Sequence, residues 1–213
     1  MTTTLYKPHG LPVFPLHQDP GSDCLLARLL ASDPWRAALP WPQGFEGGIL
    51  HRLDLSTSGA VWVADHPDEV EALRALFAER RLVKRYLLLT AKGVPWDKNR
   101  CQFALAHDRR HKGRMVVQRG PDTPHRGEWI PADTAFERVR GRLFRATMRS
   151  GVMHQIRAHA AFLGIPLLGD SRYGGGATPR GAPAGLVFYL HHEGLTGPKG
   201  VATAPVPLPD WAS

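Results

Sequence analysis

Four consecutive residues, His51-Arg52-Leu53-Asp54, put an imidazole, a guanidinium and a carboxylate side by side. They lie between the apolar pair Ile49-Leu50 and a Ser/Thr/Gly turn that runs into the apolar stretch Ala60 to Ala64, so the pattern reads strand, polar hinge, strand. A carboxylate at a strand end, next to an arginine and beside a glycine-containing turn, suits a nucleophile or a general base. The hydroxyls and amides of Thr57, Ser58 and Gly59 can fix such a loop. The same residues also suit an ordinary surface turn with a local ion pair, and four residues alone do not separate the two readings. Two histidine pairs, His107 with His111 and His154 with His159, have roughly the spacing of metal ligands. Neither carries the glutamate of an H-E-x-x-H arrangement, and no metal site is expected.

The elements that must position these residues alternate between extended and helical patterns. Leu5 to Pro15 is rich in proline and is read as an extended, turning segment anchored by Leu11 and Val13. Cys24 to Ala31 reads as a short helix capped by Ser22 or Asp23, and Trp35 to Gly48 as a loop. Ile49 to Asp54 and Ala60 to Ala64 read as short buried strands. Asp65-His66-Pro67 opens a second helix, whose buried face is Val70, Leu73, Leu76 and Phe77. Val83 to Ala91 alternates as a strand with Lys84, Tyr86 and Leu88 on one face. Asp133 to Val139 and Gly141 to Arg149 form a hairpin with Phe144, Ala146 and Met148 on one face. Ser150 to Leu168 holds a helix closed by Gly164. Leu186 to Leu190 is expected to be the last strand, before an extended tail.

Charge points to a partner. The 213 residues carry a formal net charge of +8 and a pI near 10.0, which favours a polyanion, nucleic acid before membrane. The most basic stretch, His107 to Arg126, includes Arg109, Arg110, Lys112 and Arg114, and a basic hairpin or loop there suits phosphate contacts along RNA. A hydrophobic content of 43% with 22% charged residues is that of a soluble globular protein, and no apolar run spans a membrane. The N-terminus lacks the pattern of a secretory signal, and Cys24 and Cys101 have no metal or redox spacing, so a cytoplasmic protein with free thiols is expected.

Three blocks in order carry a family resemblance. His51 to Gly59 resembles the H-R-L-D-x-x-T-S-G motif of the RluA-type pseudouridine synthases. Lys84-Arg85-Tyr86 resembles that family's K-x-Y block. His154-Gln155-Ile156-Arg157, followed by Gly169-Asp170-Ser171-Arg172-Tyr173-Gly174, resembles its H-Q-I-R and G-D-x-x-Y-G blocks. Leu5 to Pro15 is similar to a K-P-x-G-L-x-V block near the start of the catalytic domain. The resemblance covers Lys7 to about Leu195. It departs at Val152-Met153, where the family has R-T.

The resemblance implies an α+β fold: a mixed, largely antiparallel central sheet flanked by helices, with an RNA-binding cleft. It implies one catalytic domain over residues 1–213, with the strand before Lys7 shortened or missing and no separate N-terminal RNA-binding domain. It implies an RNA uridine isomerase with no cofactor, acting as a monomer on ribosomal RNA, or less favourably on transfer RNA. A catalytically inert RNA-binding paralogue is the alternative. By the same resemblance Asp54 is the catalytic carboxylate, Arg157 its ion-pair partner and Tyr86 the aromatic group beside the target base. Arg52 displaces the base, and His51, Thr57, His154 and Gln155 complete the substrate site.

Overall fold

The computed structural model describes residues 2–16, 18, 19 and 21–212. In chain order the strands are β1 (Thr2–Lys7), β2 (Ser58–Ala64), β3 (Val83–Leu89), β4 (Lys98–Cys101), β5 (Leu105–Asp108), β6 (Met115–Val117), β7 (His125–Ile130), β8 (Thr134–Arg140), β9 (Leu143–Met148) and β10 (Leu190–Thr196). The helices are α1 (Leu25–Ser32), α2 (Glu69–Ala78) and α3 (Gln155–Phe162). Seven strands form one sheet in the order β1-β2-β10-β3-β9-β8-β4, and a second sheet runs β6-β5-β7. Every pairing is antiparallel except β10 with β2, which is parallel at His191↔Ser58 and His192↔Gly59. The mixed, largely antiparallel α+β architecture is therefore as the resemblance implies.

The period of two along β2 builds two cores. Val61 and Val63 face a cluster with α1 and α3, whereas Trp62 and Ala64 face Val70 and its partners on α2. Tyr86 and Leu88 of β3 join the first cluster, along with Phe144, Ala146 and Met148 of β9. The chain end packs on the opposite face of β3 and β9, where Ala212 and Trp211 meet Leu87 and Leu143. The three-stranded sheet shares a third cluster with α3 through Leu105, Met115, Ala158 and Tyr173.

Several local expectations are corrected. The strand before Lys7 is present: β1 pairs along its whole length with β2, from Thr2↔Ala64 to Lys7↔Gly59. Ile49 to Asp54 is not a strand; only Ile49 bridges to Val63, and the apolar residues there are buried by loop packing. The cap of α1 is Cys24, whose sulfur accepts from the Ala27 amide at 3.3 Å, rather than Ser22 or Asp23. The loop of residues 35–48 contains short 3-10 turns around the buried Arg36, which donates to the carbonyls of Gly47 and Ala64 at 2.9 and 2.7 Å. The last strand is β10, not Leu186 to Leu190; that run is apolar because Leu186, Phe188, Tyr189 and Leu190 are core residues. Finally, α3 is only eight residues long and is led in by His154 in the left-handed conformation (φ 54°). Its C-terminal turn closes on Gly164 at φ 83°, as that glycine predicts.

Candidate active site

Asp54 lies on the loop that precedes β2. Its carbonyl accepts from the Thr57 amide at 3.0 Å, which closes the turn. The loop is clamped from β1: the buried Lys7 ammonium donates to the carbonyls of Leu55, Pro8 and Leu11 at 3.1, 2.9 and 2.7 Å. Burial lowers the Lys7 pKa to about 8, against the opposing pull of the Asp54 charge. The side chain of Asp54 is 43% exposed and faces a cavity of about 740 Å³.

Arg157 enters the same cavity from α3. Its Nη1 stands 3.9 Å from Asp54 Oδ2, while Nε and Nη2 donate to Asp170 at 2.7 and 2.8 Å. The rings of Phe188 and Tyr173 lie 4.2 and 5.0 Å from the guanidinium carbon. The expected approach of Arg157 to Asp54 is therefore present, but the close, bidentate partner of Arg157 is Asp170. Asp170 stands in the G-D-x-x-Y-G block, whose residue types alone assign it no role.

Tyr86 comes from the middle of β3, with its ring 4.5 Å from that of His192 on β10. Burial, and then the Asp54 charge, raise its pKa, so the hydroxyl stays protonated. That hydroxyl has no hydrogen-bond partner among the described residues. Arg52 and Thr57 also line the cavity, Arg52 exposed and Thr57 buried. Lys84, two residues before Tyr86 and so on the same face of β3, lines it as well; its K-x-Y block was legible, its position in the wall was not. His154 stands with Nδ1 3.0 Å from the Tyr173 hydroxyl, which accepts the Met115 amide proton. Burial, then Arg157, lowers the His154 pKa.

Other expected site residues have different surroundings. His51 touches the cavity, but its Nε2 accepts the Trp62 amide proton at 3.0 Å; burial and then His192 hold the ring well below its ordinary pKa. Gln155 is buried and fully engaged: Oε1 accepts from Ser150 Oγ and Val152 N, and Nε2 donates to Asp133 O and Thr134 Oγ1. Both therefore hold the cavity wall rather than present free polar groups. Arg109, Arg110 and Lys112 are exposed outside the cavity, and Arg114 lies over the Tyr173 ring at 5.3 Å. His159, the partner in one histidine pair, is buried, with its ring nitrogens against Thr134 Oγ1 and the Phe103 carbonyl. Among the described residues no group of three or more His, Cys, Asp or Glu side chains could hold a metal ion.

This fold matches one class of protein. A sequence model of the RNA pseudouridylate synthases matches residues 2–162, and the chain belongs to that family, in its RluA-type branch. It is 34% identical over 131 residues to RNA pseudouridine synthase 2, chloroplastic, of Oryza sativa subsp. japonica, covering 60% of this chain and 29% of that protein. It is 33% identical over 189 residues to the ribosomal large subunit pseudouridine synthase D of Xanthomonas campestris pv. campestris, covering 86% and 53%. The chain thus spans less than two thirds of the length of these relatives. Among solved structures it resembles human RNA Pseudouridylate Synthase Domain Containing 1, with TM-score 0.63 and 26% identity over 78% of this chain and 71% of that one. Human RNA Pseudouridylate Synthase Domain Containing 4 shares the fold, with TM-score 0.69 and 22% identity over 99% and 87%. No helix among the described residues is long and apolar enough to cross a membrane.

Proposed function

We propose that this chain isomerises uridine to pseudouridine in RNA. The reaction breaks the C1′–N1 bond and forms a C1′–C5 bond; a proton leaves C5 and one is gained at N1, so no redox partner is needed. Asp54 acts on the nucleoside as the reacting carboxylate, at the sugar or at the base ring. Arg157, held by Asp170, orients it. Tyr86 lies beside the base and its neutral hydroxyl can relay a proton. The target base must leave its stack to enter the cavity beside Asp54, and the exposed Arg52 in the cavity lining is suited to fill the gap.

The observation that carries this reading is the meeting in one cavity of Asp54, Tyr86 and Arg157 from three separate chain segments. Ribosomal RNA is the preferred substrate over transfer RNA, supported by the similarity to a protein named for the large ribosomal subunit over 86% of this chain. The protein acts in the cytoplasm, as two free, buried cysteines support, and as a monomer.

The test is a nucleotide-resolution map of pseudouridine in cellular RNA with and without the gene, followed by the purified protein on the RNA so identified. One or a few lost sites, restored by the wild-type protein and not by Asp54→Asn, are expected. RNA binding without product from the wild type would instead favour an inert RNA-binding paralogue.

A further inference from the structure

A second cavity of about 360 Å³ opens beside the catalytic one and shares Lys84, Gly151, Val152 and Met153 with it. A third, of about 550 Å³, shares Arg80, Arg149 and Ser150 with the second. The second cavity thus adjoins the catalytic one as a groove, and Arg80 and Arg149 are common to it and the third. Among the described residues the second cavity is lined by three cations, Arg80, Lys84 and Arg149, and by no carboxylate. In the third, the one carboxylate, Asp133, is already bonded to Arg100.

The backbone holds these cations in place. Arg80 and His154 are the only non-glycine residues at positive φ among the described residues, both at 54°, and they line adjoining cavities. A left-handed arginine is uncommon and costs free energy that the surroundings must offset. Here the last turn of α2 closes over it, with Arg80 N bonded to Phe77 O at 3.1 Å and Arg81 N to Leu76 O at 2.9 Å. Arg149 Nη1 in turn donates to the carbonyls of Arg80 and Arg81, which ties its guanidinium to the groove wall. Lys84 is partly buried, makes one long bond to Ser150 O at 3.4 Å and lies over Phe77, with no carboxylate partner among the described residues. Met153 and Ile130, each 40% exposed, give the groove an apolar floor. Arg109, Arg110 and Lys112 line none of the three cavities.

We infer that the RNA strand flanking the target nucleotide leaves the catalytic cavity along this groove, its phosphates between Arg80 and Arg149 and a neighbouring base against Met153 and Ile130. The inference rests on the proposed activity, because it takes the catalytic cavity as the place where the strand is anchored. Cations without countercharges beside an exposed apolar floor match a single strand, which offers both phosphates and unstacked bases. The groove also places the Val152-Met153 departure at the junction between target and flanking nucleotides, where it bears on sequence preference.

Arg80→Gly is the decisive variant. It removes the charge and relieves the positive φ, so its thermal unfolding midpoint rises or holds. Its affinity for fluorescently labelled dodecauridylate is expected to fall about five-fold at 0.1 M salt, with a shallower salt dependence, as for the loss of one phosphate contact. Arg149→Gln should act in the same direction, and Arg109→Gln/Arg110→Gln/Lys112→Gln should change affinity less than either. Ultraviolet crosslinking of the wild-type protein to total cellular RNA should put adducts on peptides containing Met153 or Ile130. Unchanged affinity in Arg80→Gly, no binding of the probe by the wild type, or adducts confined to residues 109–119 would overturn the inference. These readouts do not depend on turnover. A wild-type protein that binds through the groove but forms no pseudouridine would overturn the proposed activity and leave the groove assignment standing.

Discussion

Arg157 presents one edge of its guanidinium to Asp170, at 2.7 and 2.8 Å, and leaves Nη1 3.9 Å from Asp54. The two carboxylates differ in exposure, 1% for Asp170 and 43% for Asp54. The buried one fixes the arginine in a bidentate fork; the exposed one is left able to meet a substrate. Without Asp170, Arg157 would be a buried cation whose position was set only by the Phe188 and Tyr173 rings and a distant carboxylate.

Asp170→Asn therefore strikes at stability and at the site together. An amide offers one acceptor oxygen where the carboxylate offers two, and it leaves the buried guanidinium short of a countercharge. Breaking a buried pair on one side costs about 3–5 kcal/mol. A urea midpoint should show that loss, and pseudouridine formation should fall more than RNA affinity does. Arg157→Lys keeps the charge but not the fork, and should lower turnover without an equal loss of binding. An Asp170→Asn protein with unchanged stability and turnover would refute the positioning role.

What the sequence made legible was periodic or local. The strand at Val83, the Asp133–Arg149 hairpin and the apolar face of α2 follow from alternation and helical spacing, and the motifs indicated that Asp54, Tyr86 and Arg157 converge. What escaped was decided by distant partners. Lys7 and Arg36 are buried because backbone carbonyls from remote segments surround their charged ends, a pattern no local window contains. β10 reads poorly because its two buried histidines and a glycine interrupt the apolar signal, while the neighbouring Leu186–Leu190 imitates a strand. The full internal bonding of Gln155 was hidden for a similar reason, since its four bonds reach back to Ser150, Val152, Asp133 and Thr134.

The junction of β2 and β10 makes a further prediction. Gly59 has φ of 124°, and a Cβ there would lie 2.2 Å from the His192 carbonyl oxygen. That oxygen belongs to a strand paired on both sides, so it cannot retreat. Gly59→Ala should cost about 3 kcal/mol or more through strain and overlap. Gly93→Ala, in open space and without a positive φ, should stay within about 0.5 kcal/mol of wild type. Equal unfolding midpoints for the two variants would contradict this account.

Tyr86→Phe separates the ring from the hydroxyl. The hydroxyl has no hydrogen-bond partner among the described residues, whereas the ring packs against His192 and the main core. Folding stability should therefore change by less than about 0.5 kcal/mol. Turnover should fall if the hydroxyl relays a proton, and RNA affinity should hold. Tyr86→Ala removes the ring as well and should lose about 3–5 kcal/mol. A Phe variant with full turnover would limit Tyr86 to packing beside the base.

The paired histidines of β10 set the acid behaviour. His191 Nδ1 lies 2.9 Å from Ser58 Oγ and His192 Nδ1 2.6 Å from the Ala60 carbonyl, while both Nε2 atoms are buried without a partner among the described residues. Protonating either ring would place a charge and an unmatched N–H in the core, and burial accordingly lowers both pKa values from 6.5 to about 4. Between those values the unfolded chain binds protons that the folded chain does not. Stability is then full above about pH 6.5, falls as the pH drops toward 4, and changes no further from this source below that. Each imidazole contributes a slope of up to about 1.4 kcal/mol per pH unit in that window, and the buried His51 adds in the same direction. Carboxylates held low by partners, such as Asp133 beside Arg100, lose their contribution only at lower pH, so the two effects separate. Urea midpoints across pH 4 to 8 should trace this fall, and the His192 ring protons should keep constant NMR shifts down to about pH 5. A His192 ring that titrates near 6.5 in the folded protein would show that its burial does not hold it neutral.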